Sequence, residues 1–256
     1  MNWLEIAKKI IPSASQTYSK SHYYFTKPFF ATQGLGGILV SDEDVGTGQN
    51  REYHDFSMAL GAVILGYKSK QWWLDLDFPN GINFSCPHPL EVKLAEKLLE
   101  LFPHHDMVKF FKNGSDATEI AVRLARAYTG RDLVLVGSYH GFHDWYVAST
   151  DRNRGIPLDN QMLVSQFNGI EEFKNLIDDD VACVVIEPTI KDVKEISTIT
   201  KEHGALLVFD EVMTGFRYDV RGLQYVLGVE PDITCLGKCI ANGMPLSAVV
   251  GRRDVM

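Results

Sequence analysis

Short apolar runs alternate with helical patterns through most of this 256-residue chain, which limits the folds that it can adopt. Leucines recur at helical spacing over 87–102. Beyond that helix the pattern predicts strand 107–111, helix 116–129, strand 133–137, helix 169–177, strand 181–186, helix 192–203, strand 205–210 and strand 232–236. Nearly continuous apolar strands that alternate with helices indicate an α/β fold, with a mostly parallel sheet covered by helices on both faces.

The N-terminal part of the chain has a different pattern. A short amphipathic helix is predicted over 2–11, a strand over 34–40, and an extended or buried stretch over 53–65. Residues 138–168 read as irregular. We therefore expect an N-terminal segment at 1–60 and one large sheet domain at 61–256.

Polar or flexible residues follow the apolar strands at five places. They are Gly114, Tyr139, Glu187, Asp210 and Lys238. Ligands of open parallel sheets bind at the carboxyl ends of the strands. The five positions are therefore expected to share one site.

Two of these residues match the needs of pyridoxal 5′-phosphate. This cofactor takes a lysine as a Schiff base, and a carboxylate keeps its ring nitrogen protonated. Lys238 follows an apolar strand and a glycine, which favours burial and a nucleophilic amine. The pair Asp210-Glu211 also fits a magnesium site, but the GxxxxGK[ST] phosphate loop that accompanies such pairs is missing from the sequence.

The segment Gly114-Ser115-Asp116 opens a helical pattern directly after a strand. A helix N-terminus favours phosphate because its first N–H groups are unsatisfied and its dipole end is positive. Gly114 would let the backbone approach closely, and the Ser115 hydroxyl would add a donor. The alternative is an ordinary helix start, with Asp116 and Glu119 as a capping-box pair.

An aromatic residue and two histidines follow the strand at 133–137. The Tyr139 ring could stack on a planar cofactor, with His140 beside it. The spacing of His140, His143 and Asp144 also allows zinc, although no further ligand motif follows and we expect no metal. A third interpretation is that these aromatic side chains simply pack on the core.

Composition excludes several classes of function. The net charge of −8 and the lack of a basic stripe argue against a nucleic-acid partner. The longest apolar run, 58–65, is too short to span a membrane, and charges interrupt the apolar residues of 1–12, as they would not in a signal peptide. The cysteines form no CxxC pair, so a reduced, cytoplasmic location is expected.

Several segments together resemble the class III pyridoxal-phosphate-dependent aminotransferases, a family of the fold-type I enzymes. The resemblance begins near residue 34, and the segments that carry it are 110–118, 123–131, 139–144, 203–217 and 228–243. It implies that Lys238 is the Schiff-base lysine and proton shuttle, and that Asp210 pairs with the ring nitrogen. It also implies that a glycine and a serine hold the phosphate and that a tyrosine and a valine lie on opposite ring faces. The expected cofactor contacts beyond the catalytic pair are Gly114, Ser115, Asp116, Tyr139, His140, Glu187 and Val212.

The same resemblance implies amino-group transfer between small-molecule amines and carbonyl compounds, in a homodimer. Two alternatives remain open. One is an aminomutase, which moves an amino group within one molecule. The other is binding of cofactor or partners without turnover, because the small C-terminal domain that the family carries is not found in this sequence.

Overall fold

The computed structural model describes residues 3–16, 18–24, 30–41, 50–67 and 85–256. The chain divides into two compact units, Met1–Phe78 and Pro79–Met256. This division lies later in the chain than the boundary expected between residues 60 and 61. Within the described ranges, no helix combines the length and the apolar character needed to cross a membrane.

The first unit contains a small antiparallel sheet in the order β1-β2-β3. Its strands are β1 Ala31–Leu35, β2 Ile38–Ser41 and β3 Glu52–His54. The strand expected over 34–40 is thus two strands, joined by a turn in which Gly36 has a left-handed φ of 57°. The helical segments of this unit are α1 Trp3–Ile10, α2 Met58–Gly61 and the short 3₁₀ turns Pro12–Ala14, Tyr18–Lys20 and His22–Tyr24.

The second unit is built on a seven-stranded sheet in the order β4-β10-β9-β8-β7-β5-β6. Its strands are β4 Met107–Phe111, β5 Leu133–Val136, β6 Val164–Gln166, β7 Val181–Ile186, β8 Leu206–Glu211, β9 Ile233–Leu236 and β10 Ser247–Gly251. Strand β10 runs antiparallel to both β4 and β9, and the other pairs are parallel. The mostly parallel α/β fold is confirmed, whereas strand β10 was not expected.

Helices connect these strands, and those expected over 87–102, 116–129, 169–177 and 192–203 lie close to their expected positions, whereas the helix Gly222–Leu227 was not expected. The helices are α3 Pro89–Leu101, α4 Gly114–Thr129, α5 Asp144–Val147, α6 Leu158–Met162, α7 Ile170–Leu176, α8 Val193–Glu202, α9 Gly222–Leu227 and a 3₁₀ turn at Lys238–Ala241. The stretch 138–168, expected to be irregular, contains α5, α6 and the edge strand β6.

The alternation of side chains along β8 decides which of its acidic residues faces the site. Val208 packs in the core cluster that includes α4, whereas Leu207 and Phe209 pack in the cluster that includes α7 and α8. Successive side chains of a strand point to opposite faces. Asp210 therefore projects to the α4 face, and Glu211 projects to the other one.

Candidate active site

Lys238 lies immediately beyond strand β9, after Gly237, in a left-handed conformation with φ 45°. Its amine nitrogen is 3.9 Å from Met213 Sδ. Burial lowers the pKa of Lys238, while the nearby carboxylates of Asp210 and Glu187 act in the opposite direction. Burial partly withdraws the amine from water and favours its neutral, nucleophilic form, whereas the two acidic groups within electrostatic range favour its protonated form.

Asp210 is a buried carboxylate on the strand adjacent to the lysine strand, where it pairs in register with Cys235. Its Oδ1 accepts a hydrogen bond from the Val212 backbone N–H at 3.1 Å, and its Oδ2 is 2.8 Å from His140 Nδ1. A buried carboxylate stays ionised when donors face it. A protonated ring nitrogen would be one more such donor.

The two histidines of the zinc alternative face different partners. His140 is fully buried between Asp210 and Ser138, with its Nε2 3.2 Å from Ser138 Oγ. His143 instead hydrogen-bonds Glu119 through Nδ1. In the ranges that the structure describes, no cluster of three or more His, Cys, Asp or Glu side chains is arranged to hold a metal ion. The geometry thus gives the zinc alternative no support.

Helix α4 begins at Gly114, earlier than the expected residue 116, with Asn113 as its N-cap. Asn113 Oδ1 accepts from the Asp116 N–H at 3.1 Å, and Asp116 Oδ2 accepts from the Asn113 N–H at 3.2 Å. The capping box therefore joins Asn113 and Asp116, and the suggested pairing of Asp116 with Glu119 was wrong. This box holds the helix N-terminus in a fixed position.

The glycines of the site permit close contacts that a side chain would block. A Cβ on Gly114 would lie 2.7 Å from Val212 Cγ1, and one on Gly237 would lie 3.1 Å from the same atom. A Cβ on Gly141 would lie 2.5 Å from Ser115 Oγ. The helix start, the Val212 side chain and the lysine loop are thus packed together.

Tyr139 and Glu187 complete the same edge of the sheet. The Tyr139 ring is 67% exposed and meets Tyr146 edge-on, with centroids 5.5 Å apart. Burial raises the pKa of Tyr139 and that of Glu187, and Asp210 raises both further. Both residues therefore lie near the Asp210 carboxylate, and the open face of the tyrosine ring can receive a planar ligand.

The structure thus brings the sequence-derived site residues to one edge of the sheet, and the role of each remains a prediction. Sequence reasoning missed Ser138, whose Oγ accepts from the Glu187 N–H at 3.2 Å. Its position directly after a strand, beside Tyr139, was an available signal. Trp145 and Tyr146, whose rings surround His140, carried no such signal because they lie in a stretch read as irregular.

Glu211 has a structural role on the opposite face of the sheet. It is fully buried, and its carboxylate accepts hydrogen bonds at 2.8–3.0 Å from Thr214 Oγ1, Leu223 N, Gln224 N and Gln224 Nε2. These bonds anchor α9 and the loop before it to the end of β8. These hydrogen bonds also explain the second carboxylate of the Asp210-Glu211 pair without a magnesium ion.

We expect Glu211→Gln to lower the free energy of unfolding by about 1–3 kcal/mol, because the new amide would turn a donor towards other donors. Urea unfolding of the cofactor-free protein measures this change. Exposed Glu202→Gln on helix α8 is the matched control and should unfold like the unsubstituted protein. Equal stability of both variants would contradict the structural role.

A separate cleft of about 650 Å³ contains none of these site residues. Its lining includes Lys194 and Lys201 of helix α8, Tyr225 of helix α9, and Arg221 directly before α9. The site residues at the strand ends therefore lie outside this cleft.

The geometry at the strand ends fits a planar, phosphorylated aldehyde. It offers a partly buried amine, a buried carboxylate, an open aromatic face and a helix N-terminus approached through glycine. These are the groups that a pyridoxal-phosphate enzyme of fold-type I requires.

The chain belongs to the class III aminotransferase family, whose model matches residues 26–256. It is 36% identical over 255 residues to a glutamate-1-semialdehyde 2,1-aminomutase from Methanothermobacter thermautotrophicus, covering 90% of this chain and 59% of that protein. It is similar in structure to an ω-transaminase from Sphaerobacter thermophilus, with a TM-score of 0.85 and 28% identity over 100% of this chain and 64% of that one. A transaminase with bound pyridoxal phosphate gives a TM-score of 0.86 and 27% identity over 99% of this chain and 64% of that one.

The family and the similar transaminase with bound cofactor identify pyridoxal 5′-phosphate as the cofactor. The chain spans 59–65% of the length of three curated aminomutases that it matches.

Proposed function

We propose that this chain carries an amino-transfer site in which Lys238 binds the cofactor covalently. The observation that supports this most strongly is the placement of Lys238 and Asp210 on adjacent strand ends. Lys238 supplies an amine, and burial lowers its pKa. Asp210 supplies a buried carboxylate that contacts the Val212 N–H and His140. Amine and carboxylate are what the aldehyde and the ring nitrogen of the cofactor need.

When bound, pyridoxal phosphate accepts the electron pair that remains on a substrate carbon after a proton is removed. Lys238 would move that proton between the substrate carbon and atom C4′ of the cofactor, because burial lowers the pKa of its amine and favours the unprotonated form that acts as a base. Asp210 would hold a proton at the ring nitrogen through its negative charge.

The surrounding residues would orient the cofactor. Val212, packed against Gly114 and Gly237, would support one ring face, and the exposed Tyr139 ring would cover the other. Ser115 and the first N–H groups of α4 would bind the phosphate.

Three further residues would act on the site less directly. Asp116 would keep the start of α4 in place through the Asn113 capping box. His140 would hold the Asp210 carboxylate in its orientation. Glu187, whose pKa burial raises, would contribute a carboxyl group close to Lys238.

Two reactions fit this site: transfer to a second molecule, and transfer within one molecule. The similarity to transaminases in structure supports the first, and the 36% identity to an aminomutase supports the second. The chain spans only part of its relatives. For the whole protein we propose a homodimer that transfers an amino group between small-molecule amines and carbonyl compounds. We propose a cytoplasmic location, and in the part of the chain that the structure describes no disulfide joins the four cysteines.

A reconstitution experiment tests the proposal and separates the two reactions. Adding pyridoxal phosphate should give a protein-bound visible absorption band that changes when a reactive amine is supplied. Glutamate semialdehyde without an added amino donor should be isomerised only by an aminomutase, whereas a transaminase should require a second carbonyl compound. Failure to bind the cofactor, or a bound band that no amine changes, would contradict the proposal.

A further inference from the structure

Ser138 lies at the centre of a continuous line of hydrogen bonds that ends on Asp210. Its Oγ accepts the Glu187 backbone N–H at 3.2 Å and is 3.2 Å from His140 Nε2. The other ring nitrogen, His140 Nδ1, is 2.8 Å from Asp210 Oδ2. The end of β7 is thereby connected through one hydroxyl and one imidazole to the buried carboxylate on β8.

The hydrogen atoms along this line have one consistent arrangement. The Ser138 hydroxyl oxygen already accepts a hydrogen bond from the Glu187 amide N–H, so its own hydrogen is free to point at His140 Nε2. An unprotonated Nδ1 would place a lone pair against the Asp210 carboxylate. A hydrogen on Nδ1 removes this repulsion, and with the Ser138 hydroxyl donating to Nε2 the ring would be the neutral Nδ1–H tautomer.

A doubly protonated His140 fits these contacts less well. Its Nε2–H and the Glu187 N–H would both donate to Ser138 Oγ, and the serine hydrogen would then need another acceptor. The part of the chain that the structure describes provides no other hydrogen bond to that oxygen. The ring is also fully buried, stacked on Trp145 at 17° and meeting Tyr146 at 80°, so no water beside the ring accepts the serine hydrogen instead.

The charge on Asp210 depends on this arrangement. With a neutral His140, both donors to the carboxylate are neutral, and Asp210 keeps its full negative charge for another partner. With a charged imidazolium, that charge would already be neutralised and the carboxylate would attract a ring N–H less strongly.

We propose that Ser138 is a positioning residue, which holds His140 as the neutral Nδ1–H tautomer and so keeps the Asp210 charge available to the cofactor's ring nitrogen. The value of that charge to the reaction rests on the proposed function. The tautomer itself is a property of the chain alone and is measurable without cofactor.

The test is NMR of the ring nitrogens in cofactor-free protein labelled with ¹⁵N-histidine, with His140 assigned by its loss in His140→Gln. At neutral pH, His140 should show a protonated Nδ1 and a bare Nε2 that accepts a hydrogen bond. In Ser138→Ala, the ratio of rings protonated at Nε2 to rings with bare Nε2 should rise by about fivefold, the equivalent of one lost hydrogen bond. Ser138→Thr keeps a hydroxyl and should restore the original ratio.

Ser149→Ala is the matched control, because Ser149 Oγ bonds the Tyr146 carbonyl and Gln166 and has no bond to His140. It should leave the His140 signals unchanged. A protonated Nε2 in the unsubstituted protein would overturn the inference even if Ser138→Ala fails to fold, and so would an unaltered ratio in a folded Ser138→Ala.

Reconstitution with pyridoxal phosphate separates this inference from the proposed function. If cofactor binds but Nε2 is protonated in the unsubstituted protein, the role of Ser138 is wrong and the amino-transfer site stands. If Nε2 is bare as expected but no cofactor binds, the hydrogen-bonded line stands and the proposed function is wrong.

Discussion

Replacing Lys238 with alanine is expected to abolish covalent attachment of pyridoxal phosphate and to lower amino transfer by at least about 10²- to 10⁴-fold, the usual contribution of one positioned acid–base group. The reason is geometric, because the Lys238 amine projects from the end of β9 beside Asp210 and Glu187. The visible absorption of the reconstituted protein and its rate with an amine substrate measure both effects.

Lys201→Ala is the matched control for this substitution. Lys201 is exposed on helix α8 and is absent from the site, so its loss should change neither the absorption nor the rate. Retention of the bound absorption band and of turnover in Lys238→Ala would show that another group holds the cofactor.

Replacing Asp210 with asparagine keeps the shape of the side chain and removes its charge. We expect cofactor binding to weaken by about 3–5 kcal/mol, or roughly 10²- to 10⁴-fold, because a protonated ring nitrogen would lose its buried counter-charge. The quantity to measure is the cofactor-dependent rise in the free energy of unfolding. Comparing each variant with its own cofactor-free form removes any change in the stability of the chain itself.

Glu211→Gln supplies the contrast, since Glu211 adjoins Asp210 in sequence but faces the opposite side of the sheet. Glu211→Gln should lower the free energy of unfolding of the cofactor-free protein and leave the cofactor-dependent rise in that free energy almost unchanged. Asp210→Asn should instead lose most of the cofactor-dependent rise in the free energy of unfolding. If Asp210→Asn kept the full cofactor-dependent rise in the free energy of unfolding, the proposed contact between this carboxylate and the cofactor would be wrong.

The α/β fold and the location of the site could be predicted because both follow from local patterns. Apolar runs such as 181–186 are almost entirely buried strand, and functional side chains follow the strand ends. The difference between Asp210 and Glu211 was also readable in principle. Extending the period-two alternation of β8 by two residues places them on opposite faces.

Other features depend on contacts between distant residues and gave weaker signals. Strand β10 follows the lysine turn and runs back between β4 and β9, and a short apolar stretch such as 247–251 does not show its own direction. The capping box lies three residues before the suggested Asp116–Glu119 pair, because the Asn113 side chain accepts the Asp116 N–H. The Ser138–His140–Asp210 line required the strands β5 and β8 to be positioned first.

The most direct test of the central claim is to identify the residue that carries the cofactor. Borohydride reduction of the reconstituted protein, followed by digestion and mass spectrometry, should find the pyridoxyl group on the peptide that contains Lys238. A reduced adduct on a different lysine, or a stoichiometric cofactor complex that yields no adduct at all, would contradict the account.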